Sequence, residues 1–183
     1  MLYLAYGLFE ATWARYLDDL GASTLFIGIN LTLYGLPVVI LAPLAGKLAD
    51  RYGAFATAFV CVTASSMFVA FYGWFDALAV LTTIALLNAV VGSGATPATQ
   101  AAVAAASPPE QVAAGQGLLE AVGLAFAGLA VLLAVPLYAA AGPEVLFTVS
   151  SVMMLAFCAA ARLSSPGSVG KTVAVRGIDE LSA

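Results

Sequence analysis

One carboxylate in this sequence stands where carboxylates are expensive. Glu10 lies inside the apolar stretch 2–17, eight residues before Asp18, and thus on the order of 12 Å along a helix from that acidic end. Tyr6, Glu10 and Trp13 share one helix face by their i, i+4 and i+3 spacing. A carboxylate set between aromatic rings is suited to carrying a proton or meeting a cationic guest. Asn30 and Tyr34 form a second i, i+4 pair that extends the same polar surface. Asn88 stands alone, and Thr96 and Gln100 share a face beyond the break at Gly92, Gly94 and Pro97. Glu120 falls early in a later helix, where the helix dipole alone favours an acid. Tyr6, Glu10, Trp13, Asn30, Tyr34, Asn88 and Glu120 are therefore the candidates for a substrate or proton pathway. Arg15, three and four residues before Asp18 and Asp19, reads instead as half of an interfacial ion pair.

Other chemistries are poorly supplied. The 183 residues include no histidine, which removes imidazole bases and histidine metal sites. The two cysteines, Cys61 and Cys158, sit within apolar runs and read as small buried hydrophobes rather than a disulfide or metal pair. Acids are scattered among the helices instead of converging, so no intramembrane enzyme is expected, and neither is a cofactor. The net charge of −4 offers no basic face to nucleic acid.

These side chains must be positioned by helices in lipid. Hydrophobic residues make up 63% of the chain and charged residues only 9%, against about 25% charged in an ordinary soluble domain. A helix needs about 20 apolar residues to cross the hydrocarbon. Such runs predict an all-α membrane protein, a bundle of six transmembrane helices within 1–163, with spans at about 2–17, 24–45, 54–75, 77–106, 117–141 and 145–161. The remainder, 164–183, reads as a polar, disordered tail. In the "SPPEQ" segment, Ser107 reads as an N-cap, Pro108 as the first helical residue and Glu110 as its capping-box acid. With both termini on one side, that side holds Lys47, Arg51, Arg162, Lys171 and Arg176, whereas the other has only Arg15. The positive-inside rule then makes both termini cytoplasmic in the cell membrane.

Between the second and third spans lies "GKLADRYG". Its glycines allow close approach and a sharp exit, its bases suit an anionic leaflet, and Asp50 suits a positive partner such as a helix N-terminus. The segment resembles the signature cytoplasmic loop of the major facilitator superfamily, G-x-x-x-D-R/K-x-G, matched in order by Gly46, Asp50, Arg51 and Gly53. The resemblance implies one six-helix half of that transporter fold, with a loop that docks on a helix end of the other half. It further implies a secondary active transporter moving a small solute by alternating access, with proton-coupled efflux as its mode. After Gly53 the family's strongest loops continue with basic residues, whereas this chain has Ala54, Phe55 and Ala56. The fifth span also lacks the G-P-x-x-G-G pattern of many proton-coupled exporters. Both departures resemble the C-terminal half, which would need a separate N-terminal half or a homodimer partner to wall its cavity. The alternative is a truncated or non-transporting half that needs a separate N-terminal half or serves only as a scaffold.

Overall fold

The computed structural model describes residues 2–164; the tail, with Lys171 and Arg176, lies outside the described residues. All described regular structure is helical: α1 (Leu2–Asp19), α2 (Thr24–Tyr52), α3 (Ala54–Phe71), α4 (Leu78–Gly92), α5 (Ala95–Ala106) and α6 (Val112–Ser164), with single 3-10 turns at Tyr72–Trp74 and Pro109–Gln111. Helices are what lipid demands, because each backbone N–H and C=O must be satisfied within its own segment. Four stretches are long and apolar enough to cross a membrane, namely Thr24–Tyr52, Ala54–Trp74, Leu78–Ala106 and Pro109–Leu163. The helix α1, with Glu10, Arg15, Asp18 and Asp19, is not among them.

As one straight rod, the 55 residues Pro109–Leu163 would reach ~82 Å, far beyond the ~30 Å of hydrocarbon. The rod is broken at Gly142, whose φ of 80° and ψ of 173° are not helical. Contacts on either side show the chain reversing there. Before the break, Glu120 meets Tyr3 and Tyr138 meets Asp19, so segment 112–141 runs parallel to α1. After it, Glu144 lies against Gly73, Ser151 bonds Ser66, and Arg162 stacks over Phe59, so segment 143–164 runs antiparallel to α3. Tyr16, near the end of α1, bonds the turn that follows α3, so α1 and α3 point the same way.

By contrast, α4 and α5 form one bent rod. Pro97 has no N–H to offer the carbonyl of Ser93, and the helix relaxes at Ser93 and Gly94 without reversing.

Two local expectations change. The segment marked as a loop by its charges is helical up to Tyr52, so Gly46, Lys47, Asp50 and Arg51 all lie on α2. The turn is Gly53 alone, at φ 91°. Ala45 and Cys61, eight residues to either side of Gly53, both approach Gly94, which makes α2 and α3 a hairpin about that residue. In "SPPEQ", Ser107 is not an N-cap: its hydroxyl donates back to the carbonyl of Val103 at 2.8 Å. Pro109 disfavours helical backbone in the residue before it, and Pro108 is accordingly extended, with ψ 146°. The α-helix begins only at Val112.

The core is centred on α1. Leu8, Phe9, Trp13, Tyr16 and Leu17 pack with Tyr72, Leu81 and Phe147. The rings interlock, with Trp13 4.8 Å from Tyr72 and Tyr16 5.5 Å from Phe147 between centroids. At Gly7 the helices nearly touch: a Cβ there would fall 2.8 Å from the Ala127 carbonyl oxygen. Such close approach is how helices associate when lipid removes the hydrophobic drive between them.

The left-handed turn predicts a contrast between two signature glycines. Gly53→Ala should destabilise the protein by about 1–3 kcal/mol, the cost of a side chain in that backbone region. Gly46→Ala should be near neutral, since a Cβ there meets nothing within 4 Å. Denaturation of the purified chain in mixed detergent micelles would check both; an equal effect of the two substitutions would refute the assignment of the turn to Gly53.

Candidate functional site

Polar side chains occupy three levels of the bundle, each joining elements that are distant in sequence. At the first, Arg15 Nε lies 4.0 Å from Asp19 Oδ2 on the exposed side of α1. Such an exposed pair contributes about 0–1 kcal/mol. Asp19 also accepts the Tyr138 hydroxyl at 2.7 Å, while the Arg15 guanidinium sits 5.7 Å from the centre of the Tyr138 ring. The Tyr16 hydroxyl donates to the carbonyls of Tyr72 and Phe75, at 3.0 and 2.9 Å, fastening α1 to the chain that follows α3.

The middle level holds most of the candidates. Trp13 is 1% exposed and Asn30 3%; the indole Nε1–H donates to Asn30 Oδ1 at 3.1 Å. Asn30 Nδ2 in turn donates to Thr82 Oγ1 at 2.8 Å. The chain α1–α2–α4 is thus joined through one amide. Asn88, also 3% exposed, donates through Nδ2 to the Tyr72 hydroxyl at 3.0 Å. Its Oδ1, together with Ser65 Oγ and Thr63 Oγ1, has no partner among the described residues. Gly92 makes room at this place, since a Cβ there would come 3.0 Å from Ser65 Oγ and 3.6 Å from the Tyr6 hydroxyl. Unpaired buried polar groups cost about 1–3 kcal/mol each.

Glu10 points the other way. It is exposed on α1, while Tyr6 and Tyr34 beside it are half-buried and within electrostatic reach of its carboxylate. Glu10 thus faces outward within reach of the two tyrosines, whereas Trp13 turns into the core with Asn30. Thr96 and Gln100 separate, the first exposed and the second half-buried.

At the third level, Glu120 Oε1 accepts the Tyr3 hydroxyl at 2.8 Å and Gln100 Nε2 at 3.3 Å. Gln116 Nε2 donates to the Gln100 carbonyl at 2.7 Å. One carboxylate thereby joins α1, α5 and α6. Tyr3, Thr82, Ser65, Tyr72 and Gln116 were invisible as site residues in the sequence, because their partners lie on other helices at no characteristic spacing. The signature residues present a different surface: Lys47, Asp50 and Arg51 are exposed on the last turns of α2, with the Arg51 guanidinium over the Tyr52 ring at 5.4 Å. Among the described residues, no group of three or more His, Cys, Asp or Glu is arranged to hold a metal ion.

Comparison with protein-family models matches residues 1–180 to the Major Facilitator Superfamily. The chain belongs to the major facilitator superfamily. Neither the curated proteins nor the solved structures contain a match. Membership makes this an integral membrane protein of a transporter family, whose members in general bind small molecules.

The buried amide bridge makes a stability prediction. Asn30→Leu should destabilise the chain by about 1 kcal/mol by stranding the Trp13 indole N–H. Thr32→Val should have little effect, because its exposed hydroxyl bonds only its own helix. Adding Trp13→Phe to Asn30→Leu should cost less than the sum of the single changes in a double-mutant cycle. Strict additivity would contradict the bond.

Proposed function

We propose that this chain is a six-helix half, of C-terminal type, of a secondary active transporter that moves a small solute by alternating access. The six passes are α1, α2, α3, the α4–α5 rod, and segments 112–141 and 143–164. Both termini lie on the side of Lys47, Arg51 and Arg162, taken as the cytoplasmic face of the cell membrane by the positive-inside rule. The second wall of the cavity comes from another six-helix unit, either a separate N-terminal half or a second copy of this chain. Gly46, with open space before it, and exposed Asp50 and Arg51 on the end of α2 are the surface for that docking.

The observation that carries this reading is Glu10. It is an exposed acid at mid-helix on α1, the helix that otherwise forms the centre of the core. It lies within electrostatic reach of Tyr6 and Tyr34, and the Tyr6 hydroxyl in turn shares the space at Gly92 with the unpaired Ser65 hydroxyl of α3. An exposed carboxylate on this helix has no structural bond to make and is free to exchange a proton or pair with a cationic solute. We assign it the proton-coupling role, in transport directed outward. Glu120, committed to Tyr3 and Gln100, instead holds the bundle together at the end opposite Asp19.

The test is flux in proteoliposomes containing the complete transporter, with a lipophilic cation as the probe and an imposed pH gradient. Glu10→Gln should abolish gradient-driven accumulation while leaving the protein folded. Glu120→Gln should lower stability more than it alters the dependence on the gradient. Accumulation by Glu10→Gln with unchanged response to pH would overturn the proton role, and no flux from the wild-type protein would overturn transport.

A further inference from the structure

Away from Glu10, α3, α5 and segment 143–164 leave between them an open groove of about 340 Å³, within the size range of small-ligand sites. It is lined by the rings of Phe55, Phe59 and Phe157 and by small side chains, among them Ala58, Ala102 and Ala161. The polar hydroxyl in it, on Thr99, is already spent on the Ala95 carbonyl at 2.7 Å. A polar solute would find almost nothing to bond, so the chemistry of the walls selects a hydrocarbon guest.

The groove has a direction. It starts at the end of the bundle where α3 begins and α5 and α6 finish, and it reaches inward to Val62 and Met154. From Phe55 to Val62 is ~10 Å along the helix, which fits within the ~15 Å of hydrocarbon in one leaflet. At its outer end stands a cation. Arg162, next to Ala161 in sequence, holds its guanidinium 5.7 Å from the centre of the Phe59 ring. The one salt bridge among the described residues is Arg15–Asp19, so no described carboxylate neutralises Arg162. Stacking on Phe59 fixes the guanidinium at the mouth while leaving its N–H groups for an anion.

We propose that this groove is a binding site for an anionic phospholipid, with an acyl chain lying along α3 among the phenylalanine rings and the phosphate paired with Arg162. The site is separate from the proposed transport path and does not depend on it. It rests on the apolar furrow, its one-leaflet length and the cation at its mouth.

Native mass spectrometry of the full chain, released from detergent with phosphatidylglycerol or phosphatidylcholine, tests this. The wild-type protein should retain phosphatidylglycerol about fivefold more strongly, the scale set by one basic residue near an anionic headgroup. Arg162→Gln should bring the two lipids to near parity. Ala102→Leu, which fills part of the groove, should reduce retention of both. As a check that needs no change to the groove, phosphatidylglycerol should slow maleimide labelling of Cys158, a groove-lining thiol, in a Cys61→Ala background. An unaltered lipid preference in Arg162→Gln, or labelling of Cys158 at the same rate with and without phosphatidylglycerol, would overturn the proposal.

Discussion

The indole of Trp13 donates to Asn30, and Asn30 donates to Thr82, within a shell of Phe9, Tyr16, Tyr72 and Phe147. Much of the bundle depends on this arrangement. In lipid, an apolar helix gains nothing by leaving the hydrocarbon for another apolar helix, so cohesion must come from close packing and from polar groups with no other partner. The helix least suited to cross a membrane by composition, α1, consequently supplies much of the aromatic core and is fastened chiefly to α6. Its rings supply dispersion contacts, its indole N–H requires the amide of α2, and its glycine lets segment 112–141 approach at backbone distance.

That constraint also sorts the acids. Glu120 and Asp19 each accept a tyrosine hydroxyl and so fasten opposite ends of α1 to segment 112–141. Glu10, between them on the same helix, faces outward. One helix thereby carries two structural fastenings and, between them, the exposed acid proposed here as the proton carrier.

The charged stretch after Ala45 was legible as a family signature, but its shape was not. Lys47, Asp50 and Arg51 look like a loop because charges end an apolar run, yet none of them opposes helix formation, and α2 continues to Tyr52. Gly53 ends it because a left-handed residue cannot be helical. A similar misreading arose at Ser107, where the sequence of a capping box was present but two adjacent prolines held the backbone extended.

By itself the sequence determined the helical class, since 63% hydrophobic residues require lipid and lipid requires internally bonded backbone. It also determined the family, through Gly46, Asp50, Arg51 and Gly53, and the Arg15–Asp19 pair, which is fixed by the pitch of a single helix. Only the tertiary structure decided which polar residues are fastenings and which are free. Trp13 and Glu10 are three residues apart, yet one is buried and the other exposed, because the first faces Asn30 and Tyr72 on other helices. Tyr3 and Glu120, 117 positions apart, meet because segment 112–141 runs alongside α1. The groove under Arg162 likewise exists only where three helices converge. Helical periodicity carries information within a helix; between helices the partners are chosen by packing, and no spacing in the chain records that choice.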